Sequence, residues 1–301
     1  MEAQHGIPRG VLLAAGRDVP HFLIAAIERT APFLRMMRHG DGGLALFNGA
    51  DEGEGWLIDM LLAQADARGR PTLSAPHSGY ERLVNSRTLV LVDTGPPPPP
   101  GLDRDAHASA LAFEMSVGKE RIIVNCGAHA AGADGWAAVQ RASAAHSTLI
   151  VDDTNSRDES DGSIWLDASH DGYALPFGLI HRRRLFLDAA GDDLRGEDTL
   201  VRTGGAVRPP HGYAIRFHLH PSVQASLVQN GAAALLRLPS GAGWRLRTQG
   251  GTLSLAESIY LGHAGEMRRS EQVVVSGALS GEGADEAISV KWALQRIAQK
   301  A

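Results

Sequence analysis

The chain has 301 residues, 44% of them hydrophobic and 21% charged, enough to bury one large core or two smaller ones. With 29 basic against 34 acidic side chains and a net charge of −5, it carries no global positive field for a nucleic-acid backbone, although a locally basic cleft would still suit an acidic polysaccharide. Its one cysteine, Cys126, cannot close an intramolecular disulfide; no apolar run reaches the roughly 18 residues of a membrane span, and the stretch from Val11 to Ala15 is too short for a secretory leader.

In chain order, apolar residues recur at helical spacing over 20–27 and 33–37, with Pro32 between them, and again over 56–67. Residues 44–48 lie between glycine-rich breaks and read as a short strand or a loop. Two or three helices cannot close a domain, so residues 1–70 are expected to be the tail of a larger helical domain whose earlier part is absent. From residue 71 to 301 the pattern is one of short apolar runs between turn residues: 88–92, 110–115, 121–124, 147–151, 179–188, 213–219, 226–228, 233–238, 244–247, 252–255, 272–276 and 288–294. A dozen strands without long intervening helices predict a mainly β fold, a large antiparallel β-sandwich preceded by a short α-helical segment. Asn230-Gly231, the glycines at 241 and 243, and Gly250-Gly251 are each placed as hairpin turns. The proline run at 95–101 reads as a stiff surface spacer.

Three residues stand at strand edges where side chains from neighbouring strands can converge: His107, Asn125 and His146. Two imidazoles and an oxygen suit zinc or another divalent metal, while hydrogen-bonded strand ends account for the same residues without one. In His181-Arg182-Arg183-Arg184, alternation puts Arg182 and Arg184 on one side and Arg183 on the other. The first pair is placed either against an acidic sugar or in ion pairs with the acids at 188–198, a segment that reads as a tight acidic turn without calcium-loop spacing. His218 and His220 share one face of a strand, which suits a common metal or anion, or separate structural hydrogen bonds. No Gly-x-Ser-x-Gly elbow or phosphate-binding glycine loop is present.

Over residues 20–300, and most strongly from His107 to Val201, the sequence resembles the heparinase II/III-like polysaccharide lyases. The resemblance rests on His107-Ala-Ser-Ala-Leu-Ala-Phe113, Val124-Asn-Cys-Gly127 and Ala145-His-Ser-Thr148, with Asp152 and Asp153 following. It implies a C-terminal β-sandwich packed on an α/α toroid, with an acidic, uronate-containing polysaccharide in the cleft between them, cleaved by β-elimination by a carbon–oxygen lyase. It further implies a metal held at the positions of His107, Asn125 and His146 and catalytic roles for His146 and His107, while His218 and His220, in a run similar to one of the family's sandwich, join Arg182 and Arg184 from the strand alternation as candidate substrate contacts. The chain departs from the family pattern at two places. Asn125 stands where the family has Asp, which removes the anionic ligand, and Asp105 stands where a second His often precedes His107. The toroid Tyr and its partner are expected outside this chain, so the missing toroid region is an implied partner, and periplasm or cell envelope the implied location. The rival expectation is a non-catalytic carbohydrate-binding or structural sandwich, or an inactive fragment.

Overall fold

A computed structural model describes residues 6–96, 106–128, 136–149, 156–158, 162–207, 210–263, 266–279 and 287–298. Three helices open the chain: α1 (Gly6–Ala14), α2 (His21–Met36) and α3 (Gly55–Gln64). In α2, Leu23, Ile27 and Ala31 recur every fourth residue and are buried as one stripe, with Pro32 accommodated inside the helix. Among the described residues no helix is long and apolar enough to cross a membrane.

Among the described residues sixteen strands form two eight-stranded antiparallel sheets. The first runs in the order β1 (Ser74–Ala75), β2 (Tyr80–Asn85), β3 (Thr88–Asp93), β4 (Phe113–Val117), β5 (Glu120–Val124), β10 (Gly212–Leu219), β15 (Arg268–Ala278), β14 (Thr252–Tyr260). The second runs β11 (Gln224–Val228), β12 (Ala233–Arg237), β13 (Gly243–Gln249), β16 (Ala287–Arg296), β9 (Asp193–Arg202), β8 (Leu179–Leu187), β7 (Ile164–His170), β6 (Ser156–Asp158). The expected sandwich is what the chain builds.

Strand alternation generates the core. In β8, His181, Arg183, Leu185 and Leu187 are buried while Arg182 points to solvent. Between the sheets, Phe113 stacks on Trp292 at 5.6 Å between centroids, and Phe217 meets Trp292 edge-on at 5.0 Å, geometries worth about 0.5–1.5 kcal/mol each beyond their burial. Trp292 can lie flat there because residue 196 is glycine: a Cβ at that position would sit 2.1 Å from the indole.

The other face of the first sheet carries the helical segment, so the molecule has three layers. Met36, Ala45 and Phe47 pack on Tyr80, Leu89 and Leu91, and buried polar groups fix the joint. His39 sits between Ser116 Oγ at 2.8 Å and Glu114 at 2.9 Å. Glu114, wholly buried, also accepts the backbone N–H groups of Leu46 at 3.1 Å and Asn125 at 2.8 Å. Arg121 forks onto Asp41 at 2.7 and 3.2 Å and donates to the Leu44 carbonyl. Residue 40 must be glycine at this joint, since a Cβ would lie 1.9 Å from the Gly118 carbonyl oxygen.

Three expectations are corrected. Gly250-Gly251 is no hairpin, because it carries the chain from β13 in the second sheet to β14 in the first. The acidic stretch is a turn only to residue 192. There Asp188 accepts the N–H groups of Asp192 and Asp193, and from Asp193 the chain is strand β9. Of the two readings of residues 44–48, the loop is the one formed, bridged once, Leu44 to Arg38. Residues 147–149 are not strand, because they thread between strand ends and use their polar groups to tie them together. Most of the proline run, Asp105, residues 150–151, Asp152 and Asp153 lie outside the described residues.

Candidate functional site

β4 begins and β5 ends at one corner of the first sheet, beside His218 of β10. Into this corner comes a 3-10 turn at Ser143–Ala145, and the loop after it carries His146. Ser147 organises the loop. Its N–H donates to Asn125 Oδ1 at 3.0 Å, its hydroxyl donates to the Val124 carbonyl at 2.7 Å and accepts the His218 N–H at 2.9 Å, and its carbonyl accepts the Phe113 N–H at 3.3 Å.

His107 is set from the opposite side. Its N–H donates to Asn48 Oδ1 at 2.9 Å, and Asn48 in turn donates to Tyr80 Oη at 2.8 Å. Asn48 has φ +49°, a left-handed conformation that asparagine tolerates. The loop at 44–48 therefore holds the candidate histidine. Below it, buried Asp93 accepts the Ser109 hydroxyl at 2.7 Å and the Gly95 N–H at 3.2 Å. Burial, against the pull of these two bonds, pushes its carboxyl up to about 7.

The rings of His107 and His146 meet edge to face at 5.4 Å between centroids. His146 is 1% exposed; burial, then the neighbouring His107 and His218, push it down to about 3, so it is neutral. Neither of its ring nitrogens makes a hydrogen bond of normal geometry among the described residues. His218 is also buried and neutral, pushed down to about 4 chiefly by burial. Its Nε2–H donates to the Ala144 carbonyl at 2.9 Å, so its Nδ1 accepts from Ser258 Oγ at 2.8 Å. His220, beyond the strand end, bonds Ser222 Oγ at 2.7 Å, rests edge-on against Tyr260 and lies 4.0 Å from Glu52, to which Tyr260 donates. The two imidazoles thus have separate polar partners and do not converge. Cys126 lies 3.5 Å from His218 Nδ1, its thiol pushed up to about 11 by burial.

These residues do not fit the metal that the family pattern implies. The one Asn125 oxygen accepts the Ser147 N–H, and its Nδ2, where aspartate would offer a second oxygen, is a buried donor with no acceptor among the described residues. No group of three His, Cys, Asp or Glu side chains among the described residues is placed to hold an ion.

The arginines sort as alternation predicts, and on another layer. Arg182 and Arg184 are on the outer face of the second sheet, paired with Asp167 and, at 2.8 Å, with Glu197, away from the histidine corner. Arg183 points inward. It donates to both oxygens of Asp198 at 2.7 and 3.1 Å, to the Leu111 carbonyl at 2.8 Å and to the Ser147 carbonyl at 3.3 Å. His181 at 2.6 Å and the Trp292 N–H at 2.8 Å complete the shell of Asp198. Burial works to raise this carboxyl, but Arg183 and His181 outweigh it and hold it below the usual carboxylate range. Sequence reasoning missed Arg183, Asp198, Glu114, Asn48 and Ser147 as supports of the corner. Asn48 in a glycine-flanked loop was the one available signal.

The family described as heparinase II/III-like, C-terminal, matches residues 67–293. The chain belongs to this family. Among solved structures, it resembles a heparan sulfate lyase of Pedobacter heparinus, in a mutant form, with TM-score 0.75 and 13% identity over 99% of this chain and 50% of that one. It also resembles a heparinase III gene product with TM-score 0.73 and 14% identity over 92% and 47%. Among curated proteins, the FtsZ-localized protein C of Caulobacter vibrioides is 36% identical over a 316-residue alignment covering 93% of this chain and 53% of that protein. The chain thus spans about half the length of the heparinase-like relatives it matches.

Proposed function

We propose that this heparinase-like sandwich recognises acidic polysaccharide without carrying out metal-assisted elimination. The observation that supports this is the state of Asn125, an amide tied to the Ser147 N–H where the family pattern has an anionic ligand. His146, buried and neutral beside it, serves as a packed joint and not as a base. The competing reading is β-elimination of a uronate polymer, in which His107 and His146 must reach the substrate. The full-length protein, incubated with polyuronate, should bind the polymer and yield no unsaturated uronate absorbing near 232 nm. Appearance of that chromophore, and its loss in His107→Ala with the fold intact, would establish the lyase instead.

A second reading is favoured by the 36% identity over 93% of the chain to an FtsZ-localized protein, namely that the sandwich is a module of a protein that assembles with FtsZ. Purified full-length protein should then co-sediment with FtsZ polymers formed with GTP and remain soluble when FtsZ is held unpolymerised with GDP. Equal amounts in both pellets would dismiss it.

A further inference from the structure

On the side of the molecule opposite the helices, the outer face of the second sheet bears a groove of about 410 Å³ that crosses β7, β8, β9, β16 and β13. The volume lies within the roughly 300–1,000 Å³ of small-ligand clefts. One end is aromatic: Trp165, 44% exposed, meets Phe186 at 4.7 Å between centroids, and Arg195 covers the Phe186 ring at 5.4 Å. The other end is cationic. Arg247 on β13 has no ion pair among the described residues, and Lys291 on the neighbouring β16 is 3.7 Å from Glu197, which is already paired with Arg184 at 2.8 Å. Four cations line the groove, Arg184, Arg195, Arg247 and Lys291, against the one carboxylate of Glu197. Arg195 is balanced by Asp193 at its edge.

Adjacent strands are about 4.8 Å apart, so the aromatic and cationic ends are separated by more than one sugar ring. The backbone of these central strands is paired on both sides, so an extended peptide would find no main-chain partners there. A ligand must be read by side chains alone: a flat ring for stacking and guanidinium and ammonium groups for negative charge.

We propose that this face binds an extended anionic oligosaccharide, a sugar ring stacked on Trp165 and a carboxylate or sulfate held by Arg247 and Lys291. The proposal takes its ligand class from the acidic-polysaccharide reading above, but places the ligand on the surface remote from the histidine corner.

Titration of the full-length protein with tetragalacturonate should quench tryptophan emission, and affinity should fall steeply with added salt. Trp165→Ala, a substitution of an exposed ring, should abolish the quench, and Arg247→Ala should weaken binding about tenfold, the worth of a charge-assisted contact. Neutral maltotetraose and a poly-glutamate peptide should not compete. Unchanged affinity in both variants, with binding lost in His220→Ala, would overturn this placement and leave polysaccharide recognition standing at the helix-facing layer. Absence of binding by the wild-type protein would overturn both, and equal competition by poly-glutamate would replace the sugar by an acidic peptide.

Discussion

Arg183→Ala should cost about 3–5 kcal/mol of folding stability, the penalty for leaving a buried charge uncompensated. Arg183 is 1% exposed and contacts both oxygens of an equally buried Asp198, so its loss strands that carboxylate with only His181 and the Trp292 N–H. It also strips a donor from the carbonyls of Leu111 and Ser147, the loops that carry the histidine corner. The melting temperature should fall by roughly 5–8 °C for a chain of this size. Replacing the pair together, Arg183→Met with Asp198→Asn, should recover most of the loss, because it is the unpaired charge and not the missing ion pair that destabilises. A loss below about 1 kcal/mol in the single variant would show that the buried pair is not what holds these loops.

Asp93→Asn should change the pH dependence of stability. The folded carboxyl titrates near 7 against 3.8 for an ordinary aspartate. Below about pH 4 both folded and unfolded chains hold the proton and no penalty exists. As pH rises toward 7 the unfolded chain ionises while the fold retains its proton, and stability falls. Above 7 the penalty is complete, at about 4 kcal/mol by proton linkage. The asparagine variant keeps an acceptor for Ser109 without that slope. Its urea midpoint should therefore match wild type near pH 4 and exceed it progressively to pH 8. Parallel curves would show that Asp93 is ionised throughout.

The sandwich was legible because strands such as β8 alternate buried and outward residues cleanly. β7 was missed because its outward residue Trp165 is aromatic, which blurs the alternation. β9 was misread as a turn because its inward positions include Gly196 and Asp198, one making room for an indole and the other a buried charge whose partner lies on the next strand. A charge that is buried and satisfied looks, in sequence, like a charge in solvent. For the same reason His39, Glu114 and Asp41, which fasten the helices to the first sheet, gave no signal. His107 and His146 do meet, as the sequence suggests, but only Asn125 follows a strand end: β4 begins at Phe113 and residues 147–149 are loop, and the role of the Asn125 oxygen depends on Ser147, 22 residues away.

The order of strands also governs how the chain can fold. β16 lies between β13 and β9, and β15 between β10 and β14, so the last two strands in sequence occupy interior places in the two sheets. Until they arrive, β9, β10, β13 and β14 present unpaired edges, the kind of surface that recruits other strands. Each sheet therefore closes late, through contacts distant in sequence, which makes folding slow and leaves the nascent chain dependent on protection from self-association until β15 and β16 have emerged.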